Sequence, residues 1–300
     1  MWLGLTSVLA IGAPVFACAA LGFAWARAGK PYDRAGITAL ISNIGAPCLV
    51  FRNLVGLPVE PGAMLEMAVA AVLSILCFTV LGYAVLRVAR LPSHTFLSPL
   101  VFGNAGNMGL AVCTFAFPGE SGGVSPGLAL GVCYFAVASF LHFTLGVMLW
   151  SGSFSVLQLL RTPLTWSVVL ATVVIACGIS VPRWILDTAQ LLGELSIPLM
   201  LLTLGVSLSE LDLERLPRSF LLSFVRLAMG AAVGFALAAA LELEGVARGV
   251  LILECSMPSA VFNALFAEQY DGSPPQVASL VVASTLLSFL TLPFILAAVL

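Results

Sequence analysis

The chain has 300 residues, 61% of them hydrophobic and only 9% charged, with a net charge of −2; its mean hydropathy is +1.12. Soluble domains carry about a quarter charged residues, so water is not the solvent this surface was built for. The basic residues are scattered, which excludes a nucleic-acid footprint. The seven cysteines lack metal-binding spacing, so no cofactor is expected.

In chain order, apolar runs predict ten membrane-spanning helices at 3–26, 35–56, 62–87, 96–117, 127–150, 163–181, 186–208, 219–241, 247–268 and 276–299. Each is close to the ~20 residues a helix needs to cross a hydrocarbon core. The start of the chain, Met1 to Trp25, has no basic leader and too long an apolar run for a signal peptide, so it reads as the first span. No connection is long enough to be a domain. Loops after odd-numbered segments hold Arg27, Lys30, Arg34, Arg87, Arg90, Arg161, Arg215 and Arg218, against Arg52, Arg183 and Arg248 after even ones. Basic loops face the cytoplasm. That predicts an inner (plasma) membrane protein with both termini on the non-cytoplasmic side.

An offset of 151 residues pairs Pro31 with Pro182, Pro47 with Pro198, and Phe115-Ala116 with Phe266-Ala267, and sets the Gly-Asn cluster around Asn107 opposite Pro258. Residues 1–150 and 151–300 then read as two five-helix repeats. Five is odd, so two related halves enter the membrane in opposite directions and form inverted repeats.

Segment 2 carries Asn43-Ile44-Gly45-Ala46-Pro47, and segment 7 carries Ser196-Ile197-Pro198-Leu199. Helix breaks are expected at Pro47 and Pro198. Asn43 is positioned either to reach a substrate or to hydrogen-bond a neighbouring helix. Segment 4 holds Gly103-Asn104-Ala105-Gly106-Asn107-Met108-Gly109 near its middle, poor company for a continuous lipid-facing helix; it should unwind between Gly103 and Gly109. Segment 9 holds Glu254-Cys255-Ser256-Met257-Pro258-Ser259 and then Asn263. Pro258 there removes a backbone donor and clashes with the carbonyl four residues back.

Non-helical backbone at membrane depth survives only when buried in protein or lining a watery cavity. A substrate site is therefore expected at the two breaks. Half-helix N-termini and unwound carbonyls there suit anions and cations respectively, and Asn104, Gly106, Asn107, Ser256, Met257, Pro258, Ser259 and Asn263 would line it, with Asn43 nearby. Glu254, an acid inside an apolar span, is costly there unless paired, protonated or ion-bound. It is read as the coupling residue for protons or sodium, with a static pair to Arg226 as the alternative. Glu194, near the start of segment 7, is read as structural.

At these motifs the chain resembles the auxin efflux carrier family, which includes the plant PIN proteins and bacterial malonate or other organic-acid permeases. Gly103 to Leu110 and Met257 to Asn263 carry the resemblance most specifically, with Ala278 to Pro293 following and Ser196 to Gly205 matching more weakly. The resemblance implies the all-α fold of bile-acid/sodium symporters: ten helices in two inverted five-helix repeats, with segments 4 and 9 broken and crossing. It also implies a scaffold of segments 1, 2, 6 and 7, commonly a homodimer interface, and a mobile transport body of segments 3–5 and 8–10. An elevator motion of that body would move a small organic anion, auxin-like or a mono- or dicarboxylate such as malonate. Ala111 stands where the family often has a proline. Glu254 is unusual for the family and resembles the acidic sodium ligand of the symporters.

Other classes fit less well. Gly123-Val124-Ser125-Pro126-Gly127 matches the G-x-S-x-G nucleophile pattern, with His142 downstream, but the motif needs a strand-to-helix elbow and here sits between membrane spans. An enzyme is not expected. A channel would want a continuous polar pore, and a sensor of the same fold would carry a signalling domain. The expected partners are the lipid bilayer, a small organic anion and a second copy of the chain.

Overall fold

The computed structural model describes residues 17–18, 20–55, 61–119, 125–151, 163–209 and 216–300. Most of the first expected span lies outside the described residues; its end, 20–27, is helical. Among the described residues the regular elements are all helices, joined by one isolated antiparallel bridge.

Helix α1 (Arg34–Leu40) starts under Asp33, whose carboxylate accepts from the amide of Gly36 and satisfies one of the free donors at the helix start. A π-helical turn (Ile41–Gly45) leads directly into α2 (Ala46–Val55). The break expected at Pro47 therefore does not occur. The Ala46 amide reaches back to the Ile41 carbonyl, and this wider turn absorbs the donor and the space that the ring removes. α3 (Pro61–Ala89) is a continuous rod. The first broken segment follows: α4 (Ser93–Val101), extended residues 102–104, a π turn (Ala105–Gly109) and α5 (Leu110–Ala116). α6 (Pro126–Leu141) passes through a third π turn (His142–Gly146) into α7 (Val147–Ser151).

The second half begins with α8 (Pro163–Ala176) and α9 (Arg183–Leu208), which stays helical through Pro198 with its ring exposed. That expected break is also absent. α10 (Leu216–Ala240) precedes the second broken segment, α11 (Gly245–Cys255), irregular residues 256–261 and α12 (Phe262–Gln269), and α13 (Pro274–Val299) closes the chain. Each half thus presents a long helix, two half-helices and another long helix in that order.

Among the described residues, six rods are long and apolar enough to span a membrane: Arg34–Arg52, Gly62–Ala89, Pro126–Trp150, Arg183–Thr203, Pro217–Ala240 and Pro274–Val299. They coincide with expected segments 2, 3, 5, 7, 8 and 10. Segments 4 and 9 fall short because each is cut in two, and the apolar part of segment 6, Thr165–Ile175, is shorter.

The helices gather around two centres. Phe78, Leu100, Val112, Leu251 and Leu292 form the main core of α3–α6, α10, α11 and α13. Phe51, Ala171, Val174 and Ala189 hold α2, α8 and α9 together. Between the two, Ile41, Val50 and Met200 meet Phe143, Phe266 and Val281. Lipid tails are as apolar as these side chains, so close backbone approach and interhelical hydrogen bonds do much of the holding. Gly193 shows the first: a Cβ there would lie 2.7 Å from the Leu49 Cα across the α2–α9 contact. Gly193→Val is expected to lower the melting temperature of the purified protein, with overpacking costing about 1–3 kcal/mol. An unchanged melt would show that α2 and α9 do not touch there.

Candidate functional site

The two broken segments meet at their irregular backbone. Gly103 forms an antiparallel bridge with Ser259; the Asn104 amide donates to the Pro258 carbonyl at 2.7 Å, and the Ala260 amide donates to the Phe102 carbonyl at 3.0 Å. These reciprocal bonds satisfy groups that would otherwise be orphaned at membrane depth. The bridge sets Gly103, at the start of the Gly-Asn cluster, against Ser259 beside Pro258.

Asn263, in the first turn of α12, laces the two breaks together. Its Nδ2 donates to the Phe102 carbonyl at 3.2 Å and to Ser259 Oγ at 3.1 Å. Its Oδ1 accepts from Ser98 Oγ at 2.8 Å and pairs with His142 Nε2 at 3.1 Å. The Phe102 carbonyl can only accept, which orients the amide; Oδ1 then also only accepts, so His142 carries its proton on Nε2. The His142 ring stacks on Phe102 with centroids 4.1 Å apart and meets Phe266 edge-on at 5.1 Å. Asn263 is 0% exposed, and all four of its hydrogen-bonding positions are filled.

Two charged groups are buried beside this crossing. Arg226 of α10, 1% exposed, donates from Nη1 to the Cys255 carbonyl at 3.2 Å and lies 4.6 Å from the Phe78 ring centre. It caps the negative end of α11. A Cβ on Gly103 would sit 2.5 Å from its Nη2, so glycine there lets the guanidinium approach the bridge. Glu254, in the last turn of α11 and also 1% exposed, accepts from Cys113 Sγ at 3.7 Å through Oε1, while its Oε2 has no partner. Gly109 leaves the room its carboxylate occupies. The two charges take separate partners and do not pair with each other.

A narrow crevice of about 30 Å³ follows the crossing, lined among others by Asn104, Gly106, Glu254, Tyr134, His142 and Phe143, with Leu49 of α2 on its other wall. It has room for one or two waters. Two polar atoms of its lining residues lack partners, the donor Asn104 Nδ2 and the acceptor Glu254 Oε2.

The other expected site residues are distributed as follows. Ser256 bonds back to the Ile252 carbonyl at 2.7 Å. Ser259 accepts from Asn263, and its amide donates to Ser284 Oγ at 3.1 Å. Met257 is fully buried, and Pro258 supplies its carbonyl to the bridge. The side chain of Asn107 lies outside the described residues; its backbone belongs to the π turn. Asn43 is exposed and bonds to the Ala39 carbonyl at 2.8 Å, in a separate cavity between α1 and α12. Glu194 is exposed and accepts from Gln190 at 2.7 Å.

The sequence brings Arg226 in only as an alternative static partner of Glu254, and it does not assign His142 to the crossing. The first had a legible signal, a lone cation deep in an apolar span. The second had none, since its partner Asn263 is 121 residues away. Each of the three π turns among the described residues carries a polar residue of interest, Asn43, Asn107 or His142, in keeping with the frequency of such turns at functional sites. Ser125 of the G-x-S-x-G match is a helix cap, accepting from the Leu128 amide at 3.0 Å and donating to the Phe117 carbonyl at 2.6 Å, while Nε2 of His142 is engaged with Asn263.

The family described as "Membrane transport protein" matches residues 147–296. An uncharacterized transporter of Methanocaldococcus jannaschii is 28% identical over 113 residues, 37% of either chain. An uncharacterized transporter of Methanothermobacter thermautotrophicus is 25% identical over 276 residues, 87% of either chain. These are transporters and not enzymes. With half of the chain matched by the family and its rods sized for a bilayer, the protein is a multi-pass membrane transporter belonging to the auxin efflux carrier family.

Proposed function

We propose that the protein is a secondary transporter of a small organic anion, a mono- or dicarboxylate, bound at the crossing of the two broken segments. The observation that carries this reading is the pair of unpartnered polar atoms on one crevice: Asn104 Nδ2 awaits an acceptor such as a carboxylate oxygen, and Glu254 Oε2 awaits a proton or sodium. Arg226 adds a fixed positive charge beside Gly103. The reciprocal bridge supports an inverted repeat of ten helices, and the two packing centres support an elevator. In that motion α3–α7 and α10–α13 move as one body against a scaffold of segments 1, 2, 6 and 7, which also serves as a homodimer interface.

The crevice is too small for a carboxylate of several heavy atoms, so this conformation is closed around the site. Cargo enters when Leu49 and Phe143, from opposite sides of the interface, separate. With the odd-numbered loops cytoplasmic, the larger cavity between α1 and α12 opens toward the cytoplasm.

Carboxylate counterflow in liposomes tests the reading. Saturable exchange is expected, and Asn104→Leu should raise the KM at least tenfold while leaving the melting temperature within about 1–2 °C, because the lost donor has no partner within the protein. Unitary currents in place of exchange, or an unchanged KM, would overturn it.

A further inference from the structure

Among the described residues, Arg226 and Glu254 are the only Asp, Glu, Lys or Arg side chains that are buried. They stand on α10 and α11, which pack against each other within the main core. The guanidinium has a built place there. A Cβ on Gly103 would lie 2.5 Å from Nη2 and one on Gly230 would lie 3.0 Å from Nη1, so two glycines make its room, and Phe78 offers a ring face on which a cation is favoured. Capping the Cys255 carbonyl asks only for a donor, which a neutral amide supplies. A full charge at membrane depth costs much more. Arg226 is also absent from the wall of the crossing crevice, so it is no direct ligand for cargo. What it supplies is charge: arginine keeps its proton in proteins, and a dry interior screens its field little.

The two charges flank one helix end, Arg226 on the carbonyl of Cys255 and Glu254 one residue earlier. With Glu254 ionised and the crevice empty they balance. A proton or sodium on Glu254 leaves the arginine uncompensated, and one monoanion at the crossing restores neutrality. A dianion overshoots by a whole charge, as does a monoanion that arrives without the cation. The other titratable groups around Glu254 do not enter this count. Cys113 on α5 bonds to Glu254 itself, Tyr134 on α6 bonds to Ser74 at 3.0 Å and to Cys255 at 3.9 Å, and His142 is engaged with Asn263; thiol, phenol and imidazole are ordinarily uncharged at neutral pH.

We propose that Arg226 is a resident counter-charge that selects cargo by its charge: one monocarboxylate crosses with one cation on Glu254, without net charge, and a dicarboxylate is accepted only when half-protonated. The inference rests on the reading of the cargo as an organic anion bound at the crossing, and narrows that cargo to monoanions. Loaded and empty bodies are both neutral, so a membrane potential, which acts on each charge moved, alters neither translocation step.

The test uses succinate and monomethyl succinate, which share a skeleton and carry two and one negative charges at neutral pH, and malonate with monomethyl malonate as a shorter pair. In liposomes each monoester is expected to show a KM at least tenfold below that of its diacid. Its uptake under a proton or sodium gradient should change less than twofold when a potential set by potassium and valinomycin is reversed. Arg226→Gln keeps an amide donor for the Cys255 carbonyl but leaves both mobile states negative, so it should lose most of the monoester preference and make uptake vary severalfold with potential. Arg226→Lys, which keeps the charge, should retain both wild-type properties. A structural role alone would leave Arg226→Gln as selective and as indifferent to potential as the parent, and that result would overturn the inference. Where Arg226→Gln does not fold, the wild-type protein still decides: preference for either diacid over its monoester, uptake that follows the potential, or no uptake of either monoester would each overturn it. Exchange of the diacids ahead of their monoesters would leave the transport reading standing, whereas exchange of none of the four would sink that reading too.

Discussion

Glu254→Gln is expected to abolish accumulation driven by a proton or sodium gradient, bringing it to the background of empty liposomes, while carrier-mediated exchange at equal concentrations persists. An acid at the bilayer centre costs about 2.5–3.5 kcal/mol on insertion scales and more without water, yet here a carboxylate is 1% exposed with one oxygen on a weak thiol donor and the other on none. Structure alone has no use for such a group. Glutamine has the shape of the protonated acid but can neither release a proton nor neutralise sodium, so it should hold the protein in one coupling state. Its melting temperature should equal or exceed that of the parent, because a poorly satisfied charge is replaced by a neutral amide, a trade commonly met when functional groups are removed. Wild-type dependence on pH and sodium in the variant would exclude Glu254 from coupling.

The parts of this arrangement that local chemistry controls could be read before any coordinates. Gly103-Asn104-Ala105-Gly106-Asn107 and Pro258 mark the breaks because no lipid-facing helix tolerates that composition without cause, and Glu254 stands out by its solvation cost alone. What escaped reading depends on how distant segments meet. Pro47 carries the same local signal as Pro258, yet its helix continues, because a π turn absorbs one missing donor and only the second break has a partner strand, at Gly103, to take up its freed groups. Apolar sequence gives no periodic sign of a π turn.

The role of Asn263 changed most between sequence and structure, and it yields the sharpest contrast. As a polar residue beside a break it reads as a substrate ligand whose loss weakens binding and little else. In the fold its amide joins α4, both breaks and the π turn after α6 through four bonds. At about 0.6 kcal/mol per bond, the average in membrane helix bundles, the loss is roughly 2 kcal/mol. Ser98 and His142 would then be buried without their acceptor, at about 1–3 kcal/mol each. Asn263→Leu should therefore lower the melting temperature by several degrees and abolish transport along with it, because the crossing that holds Asn104, Arg226 and Glu254 in register loses its clasp. His142→Gln, which keeps an N–H near Oδ1, should recover part of the stability that His142→Phe forfeits. A stable Asn263→Leu protein with weakened affinity alone would return Asn263 to the substrate, and the clasp would then have to lie in the backbone bridge between Gly103 and Ser259.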